Sequence, residues 1–355
     1  MTFRWCVHAG RNAGASLLLA AAVASPLACD EGQSVSRSDA GASNAGSGGN
    51  TGAAGAGNPP PGGATGPQCN GAAALCDVSY SSLSFLGTHL SMASSKAWAT
   101  QTQGRSLLDQ LLVGGVRVLE LEIHDDHGAL SLCAGACANG NHSFSSTLRD
   151  IVRFLNDNPR DVLTLVLRST VLAEALLPTF ESEGVVVLAH RQEQGLAWPT
   201  LRELGDAKKR VIVFIEQLPA DESASPSGGG SDSSSGSAGT SASSSAAGNG
   251  TSSPAPLPTW LHPLGDWAWE TAPDEATNCV IARGDGSRPF AILNHYVSGE
   301  AADDEALIAA HDPDVLAARL RRCQDDRGRR SNFVFVNFAE VGDPNGGTQI
   351  ANGLR

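Results

Sequence analysis

The sequence predicts an α/β protein in which a parallel sheet closes into a TIM-type (β/α)8 barrel, with a disordered Ser/Gly-rich loop inserted into it. Two observations support this prediction. Short apolar runs typical of strands alternate with longer runs that have helical spacing. Once an export region and two low-complexity tracts are set aside, about 250 residues remain, which is the usual length of such a barrel.

The predicted strands are short, and each is apolar or β-branched over most of its length. They are Ser84–Gly87, Val116–Ile123, Val162–Leu167, Val185–Leu188, Val211–Ile215, Phe290–Leu293 and Phe333–Val336. The predicted helices are Ser106–Val113, Ser146–Asn156 and Pro313–Cys323. In the second helix, apolar residues recur at helical spacing, and Asn158-Pro159 marks its end.

The composition argues against several classes of protein. The 355 residues carry a net charge of −13, so the chain lacks the basic footprint of a nucleic-acid binder. No apolar run reaches the roughly 18 residues that a membrane-spanning helix needs, which argues against a transporter or channel. We therefore expect a monomer that binds no nucleic acid.

The first 28 residues are typical of an export signal, because positive charge precedes an apolar run, 13–24, that is too short to span a membrane. Two cleavage sites compete. One is the run of small residues Ala22-Val23-Ala24, and the other is a lipoprotein-like box, Pro26-Leu27-Ala28-Cys29, in which Cys29 becomes lipidated. We favour the lipoprotein, because a flexible stretch follows Cys29. This predicts an exported protein anchored to a membrane of the bacterial cell envelope, with plain secretion as the alternative.

Two tracts rich in Gly, Ser and Ala are predicted to be disordered, because they hold too few apolar residues to offset the entropy of the chain. Residues 29–68 form a tether between the export signal and the barrel. Residues 221–258 interrupt the barrel domain, 69–355, as a loop insertion. Such an insertion costs little, since closure entropy grows only logarithmically with loop length.

Six cysteines follow the export region, and an even number is expected of disulfides formed outside the cytoplasm. Proximity along the chain suggests two pairs and leaves a third: Cys69–Cys76, Cys133–Cys137 and Cys279–Cys323. A zinc site lacks support, because the chain has no C-x2-C pair.

Polar side chains stand where the predicted strands end, and barrel enzymes place their active sites at that end. In the second strand, Glu120, Glu122 and His124 alternate and therefore share one face. Three ionisable groups on one face of an apolar strand need partners or a cation. The other polar strand ends are His89, Arg168, Glu216, Asn294, His295 and Asn337. Together these residues indicate a catalytic cleft. The histidines expected at the surface are His127, His190 and His311.

Several motifs carry a resemblance to a known family by their order and spacing. They are Gly87-Thr88-His89, Gly114-Gly115-Val116-Arg117, Leu119-Glu120-Leu121-Glu122, Leu130-Ser131-Leu132-Cys133, the stretch from Phe154 to Leu165, Trp198-Pro199-Thr200-Leu201, Val213-Phe214-Ile215-Glu216, Leu293-Asn294-His295 and Arg321-Arg322-Cys323. The chain resembles the X region of phosphatidylinositol-specific phospholipase C-like phosphodiesterases over residues 78–355, apart from the insertion. It is most similar to the secreted bacterial branch, whose members have a TIM-type barrel.

The resemblance implies cleavage of a phosphodiester with help from a base and an acid. His89 matches the first histidine of the family, which acts as the general base. A second histidine protonates the leaving alcohol, and Ca²⁺ or an arginine neutralises the phosphoryl oxygens. Glu120 and Glu122 match the acid pair that binds Ca²⁺ in calcium-dependent members. Arg117 and His295 also match positions of the family.

This sequence departs from the family pattern at three positions. Leu90 replaces an Asn or Asp ligand, Ala134 replaces the second histidine, and Arg168 replaces a carboxylate of the third strand. Two substitutes are available: His142 as the acid, and Arg168 in place of the metal. In the second case the guanidinium pairs with Glu120 or Glu122 and meets a phosphate bidentately.

The favoured function is a phosphoric diester hydrolase or lyase that acts on an anionic lipid or related phosphodiester. Two alternatives remain. One is a catalytically inactive barrel that binds a ligand at the cell surface. The other is a glycerophosphodiester phosphodiesterase with a metal-bound acid pair.

Overall fold

The computed structural model describes residues 67–218, 256–273 and 279–355. The predicted export signal 1–28, the lipidation site Cys29 and nearly all of the tether 29–68 lie outside the described residues. So does most of the insertion 221–258.

Strands and helices alternate along much of the described chain. The strands are β1 Phe85–Thr88, β2 Val118–Asp126, β3 Ala129–Cys133, β4 Asn141–Ser143, β5 Leu163–Ser169, β6 Val211–Gln217, β7 Leu261–Pro263, β8 Ala268–Thr271, β9 Ile281–Arg283, β10 Phe290–Asn294 and β11 Phe333–Val336. The helices are α1 Leu107–Leu112, α2 Phe144–Asp157, α3 Ala173–Ser182, α4 Val185–Leu188, α5 Leu201–Asp206, α6 Leu264–Trp267, α7 Glu305–Ala310, α8 Pro313–Arg327 and α9 Pro344–Ala351. All three predicted helices are confirmed.

Eight of the described strands run parallel and neighbour one another in chain order. Their order in the sheet is β7-β6-β5-β2-β1-β11-β10-β8. A closed barrel also needs a hydrogen-bonded ladder between β7 and β8, and no such ladder occurs in the described part of the chain. The prediction of an α/β protein with a parallel sheet is therefore confirmed. The predicted closure into a ring is not, and we call the gap between β7 and β8 the seam.

Three short strands extend this sheet in the antiparallel sense. β3 pairs with β2 and β4 with β3, which builds a hairpin beyond the end of β2. β9 pairs with β8, and a register shift falls between Glu270 and Thr271. These strands were not predicted from the sequence because each is short, and β4 contains only polar residues.

Side-chain alternation divides the parallel strands into an inner and an outer face. The inner face is apolar at the amino ends of the strands, where Phe214, Phe290 and Phe333 contact one another. Gly87 makes room for this layer, because a Cβ there would lie 2.8 Å from the Phe335 ring. The outer face packs against helices such as α2, whose buried residues include Ile151.

Val185–Leu188 is helical, so the prediction of a strand there was wrong. Val185 and Leu188 are buried while Val187 is 71% exposed, which is the spacing of one helical turn. A run of four apolar residues contains too little pattern to distinguish strand from helix.

The three predicted disulfides are confirmed: Cys69–Cys76, Cys133–Cys137 and Cys279–Cys323. The third joins the segment before β9 to α8, so it fixes the position of the hairpin at the seam.

Candidate active site

The polar residues of the cleft continue the inner face of the strands toward their carboxyl ends. Val118 belongs to the apolar layer, and Glu120 and Glu122 follow it with the same parity. The same alternation leads from Val166 to Arg168 and from Phe214 to Glu216. The aromatic layer therefore forms the floor of a cleft whose walls are charged.

His89 lies directly after β1 and is held on two sides. Its Nδ1 lies 3.0 Å from Oδ1 of Asn337, and its ring stacks on Tyr296 with a centroid distance of 4.0 Å. With Nδ1 donating to the amide oxygen, Nε2 keeps its lone pair. Nε2 lies 4.0 Å from Oε2 of Glu120. His89 is thus oriented with a basic nitrogen beside the cleft carboxylates.

Arg168 lies at the centre of three glutamates. Its Nε donates to Glu120 Oε1 at 2.9 Å, and one terminal nitrogen donates to Glu270 Oε2 at 2.8 Å. The other terminal nitrogen donates to Glu216. The predicted pairing with Glu120 is therefore present, and the side chain of Arg168 is only 9% exposed.

Arg283, from the strand β9, completes the network. It donates to Glu216 Oε1 at 2.8 Å and also contacts Glu270. Its side chain is 48% exposed, so this guanidinium lies at the rim while Arg168 lies below it. The two arginines connect strands on both sides of the seam.

The network favours the charged forms of Glu120 and Arg168. Burial alone would raise the pKa of Glu120, but the charge of Arg168 holds the pKa of this carboxyl below its usual value. Burial opposes the charge on Arg168, yet the charges of Glu120 and Glu270 raise the pKa of the guanidinium.

Glu122 and His124 form a second pair on β2. Oε1 of Glu122 accepts from His124 Nε2 at 2.7 Å and from the backbone N–H of Gly135 at 3.0 Å. The other ring nitrogen of His124 lies 3.3 Å from the hydroxyl of Thr170. Both nitrogens of His124 are therefore engaged, and the turn after β3 is fixed against Glu122.

Most of these glutamates and both arginines line a cavity of about 440 Å³, whereas His89, His124 and Glu216 are not among its lining residues. Its lining residues are Glu120, Glu122, Arg168, Leu218, Glu270, Thr271, Pro273, Ala282, Arg283, Asn294 and Tyr296. Asn294 donates to the backbone oxygen of Thr271 at 2.7 Å.

The residues present do not fit the Ca²⁺ that the acid pair suggested. In the described part of the chain, no three carboxylate, histidine or cysteine side chains converge in a way that could bind a metal ion. Oε1 of Glu120 is bound to Arg168, and Leu90 contributes only its backbone N–H, 3.4 Å from the other oxygen of Glu120. A guanidinium thus lies where the carboxylates converge, and we derive no step through a metal.

Arg117 does not lie with the cleft residues. It precedes β2, at the opposite end of the strands, and its guanidinium pairs with Asp161 at 2.7 Å and lies over the Phe154 ring. It borders a separate cavity of about 220 Å³. We therefore leave it out of the proposed site.

Two other predicted catalytic histidines also lie elsewhere. His295 is buried behind the sheet, where its Nε2 donates to Ala310 O at 3.1 Å and its Nδ1 meets Arg319 at 2.5 Å. Because successive residues of an extended chain face opposite sides, Asn294 and His295 cannot both line the cleft. His142 is exposed on β4 and contacts only Ser146, at 3.5 Å, among the described residues.

The prediction that His311 lies at the surface was wrong. The residue is fully buried, its Nδ1 donates to Val341 O at 2.9 Å, and its ring lies 6.0 Å from that of His295. A histidine after a helix with mixed composition gave no sign that a neighbouring loop covers it.

Three residues of the cleft were not predicted from the sequence: Glu270, Arg283 and Tyr296. Glu270 was detectable, since Ala268-Trp269-Glu270-Thr271 is a short apolar strand that ends in a polar pair like the others. Arg283 lies on a strand of three residues, and Tyr296 follows a strand as part of a loop, so neither has a periodic signal.

Residues 75–227 match the model of a protein family. The family is PI-PLC X 1. The PI-PLC X segment is less than half of the chain, and it contains β1 to β6 with His89, Glu120, Glu122 and Arg168. Glu270 and Arg283 lie beyond it.

Two curated relatives come from the fungus Arthroderma benhamiae, so the resemblance is not confined to a bacterial branch. One, called PI-PLC X domain-containing protein 1, is 32% identical over 169 residues, which is 44% of this chain and 53% of the relative. The other, called an uncharacterized secreted protein, is 28% identical over 155 residues, which is 42% of this chain and 35% of the relative. The chain therefore spans about half of the first relative and about a third of the second.

Solved bacterial phospholipases resemble the chain weakly. The phosphatidylinositol-specific phospholipase C of Listeria monocytogenes is 13% identical, with a TM-score of 0.45, and the match covers 79% of this chain and 96% of that chain. The corresponding enzyme of Staphylococcus aureus is 15% identical, with a TM-score of 0.46, and covers 77% of this chain and 93% of that chain.

Proposed function

We propose that the protein is a phosphoric diester hydrolase or lyase in which His89 is the general base. The observation that carries this proposal is the orientation of His89 between Asn337 and Tyr296, with Nε2 toward Glu120. The match of residues 75–227 to the PI-PLC X family supports it, because this segment contains His89, which the motif Gly87-Thr88-His89 likens to the family's first histidine. The substrate is a phospholipid or a related phosphodiester.

In the proposed reaction, His89 Nε2 takes the proton of an attacking hydroxyl, which belongs either to the substrate or to a water molecule. The oxygen then forms a bond to phosphorus, and the bond from phosphorus to the leaving oxygen breaks. In this proposal Arg283, at the rim, is the group that neutralises the negative charge developing on the phosphoryl oxygens, and Arg168 lies below it. The leaving oxygen takes up a proton as it departs.

No histidine predicted as the acid lines the described cleft. His295 and His142 lie elsewhere, and His124 has both ring nitrogens engaged by Glu122 and Thr170. We therefore propose that the leaving alcohol takes its proton from water, so that the rate depends strongly on the leaving group.

Replacing the base is the direct test of the proposal. We expect His89→Ala to lower the hydrolysis of bis(4-nitrophenyl) phosphate by at least about 10²-fold, because a general base typically supplies that much. The exposed His127 is the matched control, and His127→Ala should keep the wild-type rate. If the wild type is active and His89→Ala hydrolyses the ester at the same rate, the proposed role of His89 is contradicted.

Restoring the acid tests the role of position 134. Ala134 precedes Gly135, whose N–H binds Glu122, so a histidine there would stand beside the cleft carboxylates. We expect Ala134→His to raise the rate on a diester with an alkyl leaving group by about 10²-fold or more, and on the nitrophenyl ester by much less. An equal effect on both substrates would contradict the missing-acid explanation.

A ligand-binding protein without turnover is the second candidate function. It is favoured by the commitment of Arg168 to three glutamates and by the alanine at position 134. This second function would be supported if the purified protein hydrolyses neither the nitrophenyl nor the alkyl diester while it still binds phosphodiesters. A metal-dependent glycerophosphodiester phosphodiesterase finds no such support, since Arg168 occupies the oxygen of Glu120 that a metal would need.

We also propose that the protein acts outside the cytoplasm, anchored through Cys29 or secreted. Three disulfides and a relative called a secreted protein support export. Among the described residues, no helix is both long enough and apolar enough to cross a membrane.

A further inference from the structure

The fixed charges of the cleft do not balance. Four carboxylates belong to the cavity and its ion network: Glu120, Glu122, Glu216 and Glu270. Two guanidiniums, Arg168 and Arg283, oppose them. Counting carboxylates and guanidiniums alone, the cleft carries an excess of two negative charges. A phosphodiester is itself an anion, so its phosphate must bind next to a guanidinium. The carboxylates that no guanidinium neutralises then face another part of the ligand.

The positive end of the cleft is Arg283. Each guanidinium carries five N–H donors, and the contacts of Arg283 to Glu216 and Glu270 leave donors on its half-exposed outer side. Arg168 is nearly fully enclosed by its glutamates. A phosphate that enters from solvent therefore meets Arg283 before Arg168.

The negative end of the cleft is Glu122. Its Oε1 accepts from His124 and Gly135, whereas its Oε2 has no hydrogen-bond partner among the described residues. The carboxylate is partly exposed and lines the cavity, and neither arginine contacts it in the described structure. Glu122 is the carboxylate of this cleft whose charge is left without a guanidinium.

We infer that this cleft selects phosphodiesters whose headgroup carries a positive charge, an ammonium or a quaternary ammonium, with the phosphate toward Arg283 and the cation toward Glu122. The inference rests on the proposed function for the identity of the reaction, but binding tests it separately. A phosphodiester with a cationic headgroup has no net charge, so it leaves the excess of the cleft at two negative charges. A diester with a neutral polyol headgroup raises that excess to three, and one with an anionic headgroup raises it to four.

Two water-soluble diesters that share glycerol and phosphate and differ in the headgroup provide a matched test. Glycerophosphocholine carries a quaternary ammonium, and glycerophosphoinositol carries a neutral ring of hydroxyl groups. We expect the full chain to bind glycerophosphocholine at least tenfold more tightly in calorimetric titrations. The preference should shrink as salt is added, because screening weakens the attraction to the carboxylates.

Two variants locate the two ends of the ligand. Glu122→Gln keeps an oxygen for His124 and Gly135 and removes only the charge, so it should weaken glycerophosphocholine about tenfold and leave glycerophosphoinositol nearly unchanged. Arg283→Gln should weaken both ligands alike, because they share the phosphate. Glu193→Gln, at an exposed position outside the cleft, is the matched control for the first variant.

The outcomes separate this inference from the proposed reaction. Preference for glycerophosphocholine without hydrolysis of either diester would support the inference and contradict the hydrolase. His89-dependent hydrolysis with equal affinities, or with a preference for glycerophosphoinositol, would overturn the inference and leave the hydrolase standing. Failure to bind either diester also overturns the inference. The affinities of the wild-type protein for the two diesters test the inference even if a variant fails to fold.

Discussion

Arg168→Met is expected to destabilise the fold by about 3–5 kcal/mol at pH 8, because removal of one partner leaves buried charge uncompensated. The substitution keeps much of the side-chain volume and removes the only group that contacts Glu120, Glu216 and Glu270 together in the described structure. Glu120 and Glu270 are each 8% exposed, so water solvates their charges poorly once the guanidinium is removed. Their mutual repulsion then adds to the cost of burial.

Urea unfolding at several pH values measures this effect. The loss should shrink between pH 8 and pH 5, because carboxylates without a counter-charge take up protons and lose their repulsion. Glu120→Gln added to Arg168→Met should recover part of the lost stability. The exposed pair of Arg202 and Asp77 supplies the control, and Arg202→Met should unfold close to wild type. A loss for Arg168→Met that matches the control would show that the network contributes little.

Acid should destabilise the protein well above the range in which carboxylates titrate, because several histidines are buried without charge. Burial, with the charge of Arg319, lowers the pKa of His295 to about 3. Burial, with the neighbouring His190, lowers the pKa of His262 to about 4. Burial also lowers the pKa of His311. The unfolded chain binds protons at these residues below about pH 6.5 and the folded chain does not.

Because the unfolded chain binds these extra protons, acid favours unfolding. The stability contributed by the two neutral histidines is fully present above about pH 6.5, and it is lost as the pH falls toward their pKa values in the folded protein, near 3 and 4. By pH 5, His295 and His262 should each have removed about 2 kcal/mol from the free energy of unfolding.

Urea unfolding between pH 7 and pH 5 tests this prediction. His262 lies among the rings of Trp198, Phe214 and Trp267, so His262→Phe suits its surroundings and should flatten the pH slope by nearly one proton. His127→Gln, at an exposed position, should leave the slope as in wild type. A wild-type stability that stays constant down to pH 5 would contradict the prediction.

Strand parity predicted the part of the site that lies on one element. Glu120, Glu122 and His124 share a face, and the structure adds the hydrogen bond between the last two. Proximity along the chain predicted the disulfides Cys69–Cys76 and Cys133–Cys137, and the third pair, Cys279–Cys323, followed by elimination. Local pattern works for β2 and for the first two disulfides because their partners are set by the period of a strand or by a short loop.

The partners of Arg168 were only partly predictable. Glu270 is 102 residues away in the chain, on a strand of four residues that the pattern did not reveal. His295 was placed in the cleft because it ends an apolar run, but Asn294 occupies the inward position and parity turns its neighbour away. Which residue of such a pair faces inward depends on the register of the whole sheet, and a single sequence does not specify that register.

Ion pairs connect the two sides of the seam. Between β7 and β8, where the backbone ladder is missing in the described chain, Arg168 on β5 contacts Glu270 on β8, and Arg283 on β9 contacts Glu216 on β6. Unlike backbone hydrogen bonds, the exposed ion pair between Arg283 and Glu216 is weakened by salt, and its charged groups can exchange each other for water. The attraction between β6 and β9 across the seam therefore depends on the ionic strength around the protein.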